Sequence, residues 1–365
     1  MIMVGKLIVS IIWAFWMMAM STAEGQVIED NTTSEYTPTY SSTFDRVKQR
    51  GYVVCGTNDE FPGFSQEIWS AEDGSKWEGF DVDICRAVAA AMFGDADAIE
   101  FTIVNGRTRF EFLIDGSIDV LSATTTFTYT RNVAKKLEFM PTTYYDGQGF
   151  IVRKTLGVSS AKQMEGARIC FSGTGTAAKI IADYMELHGI NYIPVAVKPT
   201  EKTKNVYKSG ECDMYGTDRS GLASNRLSFA DPDRHMILPE IISKEPLGPV
   251  VKYGDQKWSD IVRWTIYVLF IAEEMGINSK NIDSFKTHPD PYIQRFMGEK
   301  NGKDYPHLGA KLGLKATWSY DIIKQIGNYK EIYERNVGEN TPLGLQRGLN
   351  RLYNHGGLLY APPLK

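Results

Sequence analysis

Two successive runs of strand–helix alternation constrain this chain more than any other feature. The first opens with the short apolar run Tyr52–Cys55, stopped by Gly56, which reads as a buried strand. A polar loop follows, and a helix fits Asp81 to Phe93, with Ile84, Val88, Ala91 and Met92 at helical spacing, Asp81 able to cap it and Gly94 closing it. Phe101–Val104 reads as a strand, Arg107–Leu113 as a helix and Ile118–Leu121 as a third strand. The grammar then restarts. Arg168–Phe171, Tyr192–Val197 and Asp213–Gly216 read as strands, with helices over Ala177–Leu187, Thr203–Lys208 and Ser220–Leu227. Strands alternating with helices imply parallel sheets, and two such runs imply two α/β lobes of related topology. No sequence repeat accompanies the pattern. A chain of 365 residues is long enough for two domains.

Between the runs lies Tyr144–Phe150, with Gly147 and Gly149 beside an apolar strand, and after the second run comes Pro246–Val250. Both read as hinge segments, or more blandly as ordinary loops. Beyond residue 252 the pattern is helical: Trp258–Met275, Tyr320–Ile326, Glu331–Arg335 and Leu345–Asn354, the last ended by Gly356-Gly357.

The N-terminus reads as an export signal. Lys6 is its only charge, Leu7–Met20 is almost wholly apolar, and Ser21-Thr22-Ala23 offers the small residues of a cleavage site. A membrane anchor is the alternative, but the run is short for a span and no charge cluster follows it. Residues 24–43, rich in Thr, Ser and Tyr, read as a flexible leader. Export makes disulfides plausible among Cys55, Cys85, Cys170 and Cys212. Three pairings are open, and the order of elements favours one bridge inside each lobe. Zinc is disfavoured, because no Cys is in a CxxC pair or beside a His. The net charge of −4 and the lack of a basic segment argue against a nucleic-acid partner.

In parallel α/β sheets ligands sit beyond the C-terminal ends of strands. Three polar clusters fall there: Ser122–Thr126 with Arg131 following, Ser172–Thr176, and Thr217-Asp218. Together they complement an α-amino acid. An arginine fork binds an α-carboxylate with two parallel hydrogen bonds. Hydroxyls and the free N–H groups of a helix start add donors. Asp218 is an acceptor suited to an α-ammonium. Taken singly, Arg131 is as readily a surface arginine, Asp218 an N-cap and the hydroxyl loops turns. Catalytic signals are thin. The five histidines show no metal-type spacing, and neither a nucleophile elbow nor a phosphate loop occurs. Asp81 and Asp83 lie two apart on a helix and diverge. No cofactor is expected.

The stretch Gly79–Asp83 resembles the GFDxD signature of extracellular solute-binding proteins for polar amino acids. Ile118–Leu121, the Thr loop and Thr130-Arg131 resemble their strand, carboxylate loop and arginine. Tyr144–Phe150, Leu238–Pro249, Asp260–Trp264, Gly327–Tyr329, Glu334–Gly338 and Gly356–Pro363 resemble the general L-amino-acid-binding proteins of ABC transporters, over roughly residues 44–365. The resemblance implies a two-lobe type II periplasmic-binding-protein fold, each lobe a mainly parallel sheet flanked by helices. Residues 1–23 would be the signal peptide, 44–147 with 249–365 lobe one, and 148–248 lobe two. It implies a monomeric periplasmic receptor, not an enzyme, that serves an inner-membrane ABC permease. Thr124, Thr126 and Arg131 would bind the ligand from lobe one, Thr176 and Asp218 from lobe two, and Phe61 or Phe64 would stack on its apolar part. The cysteines stand where relatives carry them, which implies Cys55–Cys85 and Cys170–Cys212.

The chain also departs from its relatives. Ala123-Thr124 stands where they tend to have Arg-Asn, Phe127 where they have Trp, and Thr174–Thr176 is Thr-Gly-Thr rather than Gly-Thr-Thr. The lost positive charge implies weaker selectivity for Asp or Glu. Two rival readings remain: a dehydratase-like enzyme using Asp218 or Glu60, and an amino-acid sensor.

Overall fold

The computed structural model describes residues 42–72, 74–198, 201–299 and 308–365. The export signal and nearly all of the leader lie outside them. Among the described residues no helix is long and apolar enough to cross a membrane.

Two five-stranded sheets organise the chain. The first runs Ile99–Ile103, Val53–Thr57, Val120–Leu121, Val250–Lys252, Leu137–Phe139. Its first three strands are parallel, and Val250–Lys252 lies antiparallel to both its neighbours. The second runs Ile193–Val197, Arg168–Ser172, Met214–Asp218, Gln148–Arg153, His235–Ile237, again with three parallel strands and then an antiparallel one. Each sheet therefore reads second, first, third, then a strand arriving from the other lobe, then fourth. The two arriving strands follow a two-stranded ribbon in which Tyr144–Asp146 pairs antiparallel with Glu245–Leu247. The segments read as hinges are thus the two crossings between lobes, side by side.

Apolar residues fill both faces of the first sheet. The helix Phe80–Phe93 is buried almost all round, under the helices Gln256–Glu274 and Trp318–Ile326. Its start shows why the GFDxD motif is needed. Gly79, not Asp81, is the N-cap residue, at φ 131°, and a Cβ there would lie 2.3 Å from the Phe64 carbonyl oxygen. Asp83 accepts from Arg335 at 2.8 Å and Asn336 at 2.5 Å, which ties this helix to Tyr329–Asn336. Cys55–Cys85 joins strand to helix within the first lobe, and Cys170–Cys212 closes a separation of 42 residues within the second.

Two further sequence expectations need correcting. Residues 57–79 are not a plain loop but include an antiparallel three-stranded meander, Glu60–Phe61, Ser65–Ser70 and Gly74–Glu78. It lies at the surface, so it lacks the apolar alternation that marks a half-buried strand. Leu345–Asn354 is not an α-helix. It holds the short 3-10 turn Gly348–Asn350, with a second, Tyr353–His355, overlapping its end. Tertiary bonds override helical propensity there. Arg347 donates to Glu273 at 2.9 and 3.1 Å and to the Asn350 carbonyl, while Asn350 brackets the backbone of Tyr145.

Candidate functional site

The three polar clusters all fall at C-terminal ends of parallel strands; Ala123 and Thr124 of the first line one cavity, and Gly175 and Thr176 of the second share another with Arg131. Ser122–Thr126 follows Val120–Leu121, and buried Asp81 shapes it. Ser122 Oγ donates to Asp81 at 2.7 Å and Thr124 N–H donates at 2.9 Å. The second bond anchors Thr124 in the left-handed region, at φ 42°, rare for a β-branched residue. Asp81 is therefore a positioning group for the loop rather than a helix cap.

Burial raises the Asp81 carboxyl to about 6, against the two hydrogen bonds that favour its ionised form. Between pH 3.8 and about 6 the folded protein holds a proton there that the unfolded chain has released, so this group's contribution falls as pH rises through that window. Asp81→Asn is expected to remove that slope, at most about 1.4 kcal/mol per pH unit. Urea unfolding of both proteins across the window checks it, and parallel stability profiles would contradict the assignment.

Arg131 sits on a single π-helical turn, Thr130–Ala134. It is 8% exposed, and its Nη1 donates to the Thr126 carbonyl at 2.6 Å. Its guanidinium stands 5.5 Å from the Phe110 ring centre. Burial lowers its pKa, and the Glu245 and Asp218 carboxylates oppose that. Across the cleft, Asp218 ends the strand Met214–Asp218 and takes the N-cap position of Arg219–Leu227, yet its side chain makes no capping bond. The N-cap reading therefore does not account for it. Burial, Asp146 and Glu245 hold its carboxyl well above the usual range, while Arg131 and Arg109 pull it down. Thr176 likewise opens the helix Ala177–Leu187 without capping it. Its Oγ1 accepts from Gln148 Nε2 at 3.2 Å.

Phe61 is partly exposed, and its ring would meet a Cβ placed on Gly221 of the second lobe at 3.4 Å. Phe64, at 1% exposure, lies behind it in the core against Phe80 and Tyr144. Beside Phe61, Glu60 bridges the lobes by ion pairs to Lys202 at 2.5 Å and Lys204 at 3.6 Å. Those lysines hold the Glu60 carboxyl below its ordinary range. Such a group is a poor proton donor.

Sequence reasoning missed three residues placed at or beside the expected site residues: Arg109 lines both cavities, Gln148 bonds Thr176 and Asp146 acts on Asp218. Arg109 was read only as part of a helix, although that helix follows a strand end, where ligands sit. Gln148 and Asp146 were hidden in the hinge motif. Asp146 accepts from Ser220 N–H at 3.1 Å, and Gln148 is 2% exposed with its Oε1 unpartnered among the described residues.

Strand order and cleft define a two-lobe type II periplasmic-binding fold. Residues 53–339 match the model of bacterial extracellular solute-binding proteins, family 3, and the chain belongs to that family. It is 48% identical over 326 residues to the general L-amino acid-binding periplasmic protein AapJ of Rhizobium johnstonii, covering 89% of this chain and 93% of that one. It is 42% identical to the glutamate/glutamine/aspartate/asparagine-binding protein BztA of Rhodobacter capsulatus, covering 89% and 94%. A periplasmic binding protein from Brucella ovis, solved with glutathione bound, superposes with a TM-score of 0.84 at 43% identity, over 89% of this chain and all of that one.

Proposed function

We propose that this protein is an exported receptor that captures free L-amino acids between its lobes and delivers them to an ABC transporter permease from the periplasm. The observation that carries the reading is Arg131 and Asp218: a buried guanidinium and an uncapped carboxylate, one on each lobe, close enough to shift each other's pKa. An α-carboxylate on the first and an α-ammonium on the second bind both lobes and favour the closed form. Thr124 and Thr126 add contacts from lobe one, residues 44–147 and 249–365. Thr176 adds one from lobe two, residues 148–248. Phe61, backed by Phe64, covers the ligand's apolar part. Relatives named for amino acids support this, and glutathione, bound by the Brucella ovis relative, carries a free α-amino-acid head at its glutamyl end.

Capture takes place without chemistry, by a monomer. The relatives named as binding proteins support that against a dehydratase, and the ion pairs that hold Glu60 ionised leave it without a proton to donate in such a reaction. Thermal unfolding of residues 24–365 against each L-amino acid tests the reading. A ligand that binds only the folded state raises the midpoint, by the equivalent of about 2.7 kcal/mol at a hundredfold excess over its Kd. Shifts with several amino acids are expected, and no shift with any would overturn the assignment.

A further inference from the structure

We infer that amino-acid capture by this receptor releases a proton: the unliganded protein holds one among Asp218, Asp146 and Glu245, carboxylates gathered where the lobes cross, and the ligand's α-ammonium takes its place. The inference rests on the amino-acid reading above. It adds two positioning residues, Asp146 and Glu245, which act through Asp218.

The ribbon between the lobes brings these groups together. Asp146 and Glu245 are register partners on its two antiparallel strands, so their side chains share one face. Like charges placed directly opposite each other are destabilising. Asp218 pairs in register with Gln148, just beyond Asp146 in the chain. Glu245 is the deepest of the group, at 1% exposure. Its Oε1 accepts from Ser243 Oγ at 2.7 Å, and its buried Oε2 has no hydrogen-bond partner among the described residues. A buried carboxylate oxygen left bare is costly while it is charged. Asp146 accepts from the N–H groups of Gly147 and Ser220, at 2.8 and 3.1 Å.

Among the described residues none of these carboxylates forms an ion pair. The guanidiniums that face them donate to neutral oxygens instead: Arg131 to the Thr126 carbonyl, Arg109 to Thr125 Oγ1, and Arg219 to the Leu238 and Glu240 carbonyls. The other titratable neighbours, Tyr144, Tyr215 and Tyr333, supply no positive charge, and burial raises each of them. Lys244, next to Glu245 in the chain, is exposed.

Carboxylates packed this closely do not titrate independently, because each charge makes the next one costlier. Burial raises Asp146, against its hydrogen bonds and Arg219. Burial raises Asp218 further, with the charges of Asp146 and Glu245 acting the same way and Arg131 and Arg109 opposing them. An α-ammonium needs an ionised acceptor. On binding, the protonated carboxyl of Asp218 therefore gives its proton to the solvent, and the ammonium becomes the counter-charge. The unliganded protein binds more protons than the complex, so affinity rises with pH, by up to about tenfold per pH unit for one proton released.

Titration calorimetry with L-glutamine and L-leucine tests this between about pH 5 and 7, where neither ligand changes its own charge. At about pH 6 the measurement is made in MES and in imidazole, buffers that differ in their heat of ionisation. For the wild type the two heats are expected to differ by the equivalent of at least about 0.3 proton released per ligand, and affinity to rise at least about threefold over the range. Glu245→Gln and Asp146→Asn are each expected to lower the proton count by about half or more and to flatten the pH dependence. Asp81 also titrates at about 6, but its partners are Ser122 and Thr124, and both variants leave it in place. Retained ligand binding shows that the variants are folded. Equal heats in the two buffers for a wild type that binds would overturn the inference. So would variants that lose affinity equally at every pH while keeping the wild-type slope, since that is a structural role. If the wild type binds neither ligand at any pH, the broad amino-acid reading falls instead, a result distinct from binding without proton release.

Discussion

Replacing Arg131 with alanine is expected to weaken amino-acid binding by about 2–5 kcal/mol, or roughly thirtyfold to several thousandfold. The size follows from burial. Arg131 is 8% exposed, so its truncation leaves an α-carboxylate in a site with little water to replace the lost fork. The loss should fall on every amino acid alike, because the α-carboxylate is common to all. Arg131→Lys keeps the charge but not the two parallel donors, and recovers only part of the affinity. Calorimetry on both variants checks this, with the unliganded melting point as the control for folding. Undiminished affinity in Arg131→Ala would place the carboxylate elsewhere.

Paired alanine substitution of Cys170 and Cys212 is expected to cost about 4 kcal/mol, and of Cys55 and Cys85 nearly as much. The bridges close separations of 42 and 30 residues, so each removes a large share of the unfolded chain's freedom. Both lie in the cores of their lobes, where all four cysteines are fully buried. Urea unfolding with oxidised wild type as reference measures the difference. A loss below about 1 kcal/mol at either bridge would mean that packing, not the cross-link, holds that lobe.

Much of the frame was legible because periodicity and punctuation agreed. The helix Ala177–Leu187 was read to the residue, since apolar Ile180, Ile181 and Tyr184 recur at helical spacing after a small-residue loop. Asp218 was picked out by its place before a helix, but only the structure separates it from a cap, because capping is a hydrogen bond and not a residue type. Asp81 went the other way. Its place at a helix start suggests a local cap, whereas its partners Ser122 and Thr124 stand 41 and 43 residues further along the chain. Arg109 escaped notice for the same reason. Its helix, Arg109–Asp115, is short, and nothing local tells which way its first side chain points. Long-range placement also explains the Leu345–Asn354 misreading, where Arg347 and Asn350 bond across the fold rather than along a helix.

A crystal structure of the mature protein grown with L-glutamine tests the central claim most directly. One amino acid is expected between the lobes, its α-carboxylate on the Arg131 guanidinium and its α-ammonium on Asp218. A ligand bound outside the cleft, or within it but with its carboxylate away from Arg131, would contradict the account.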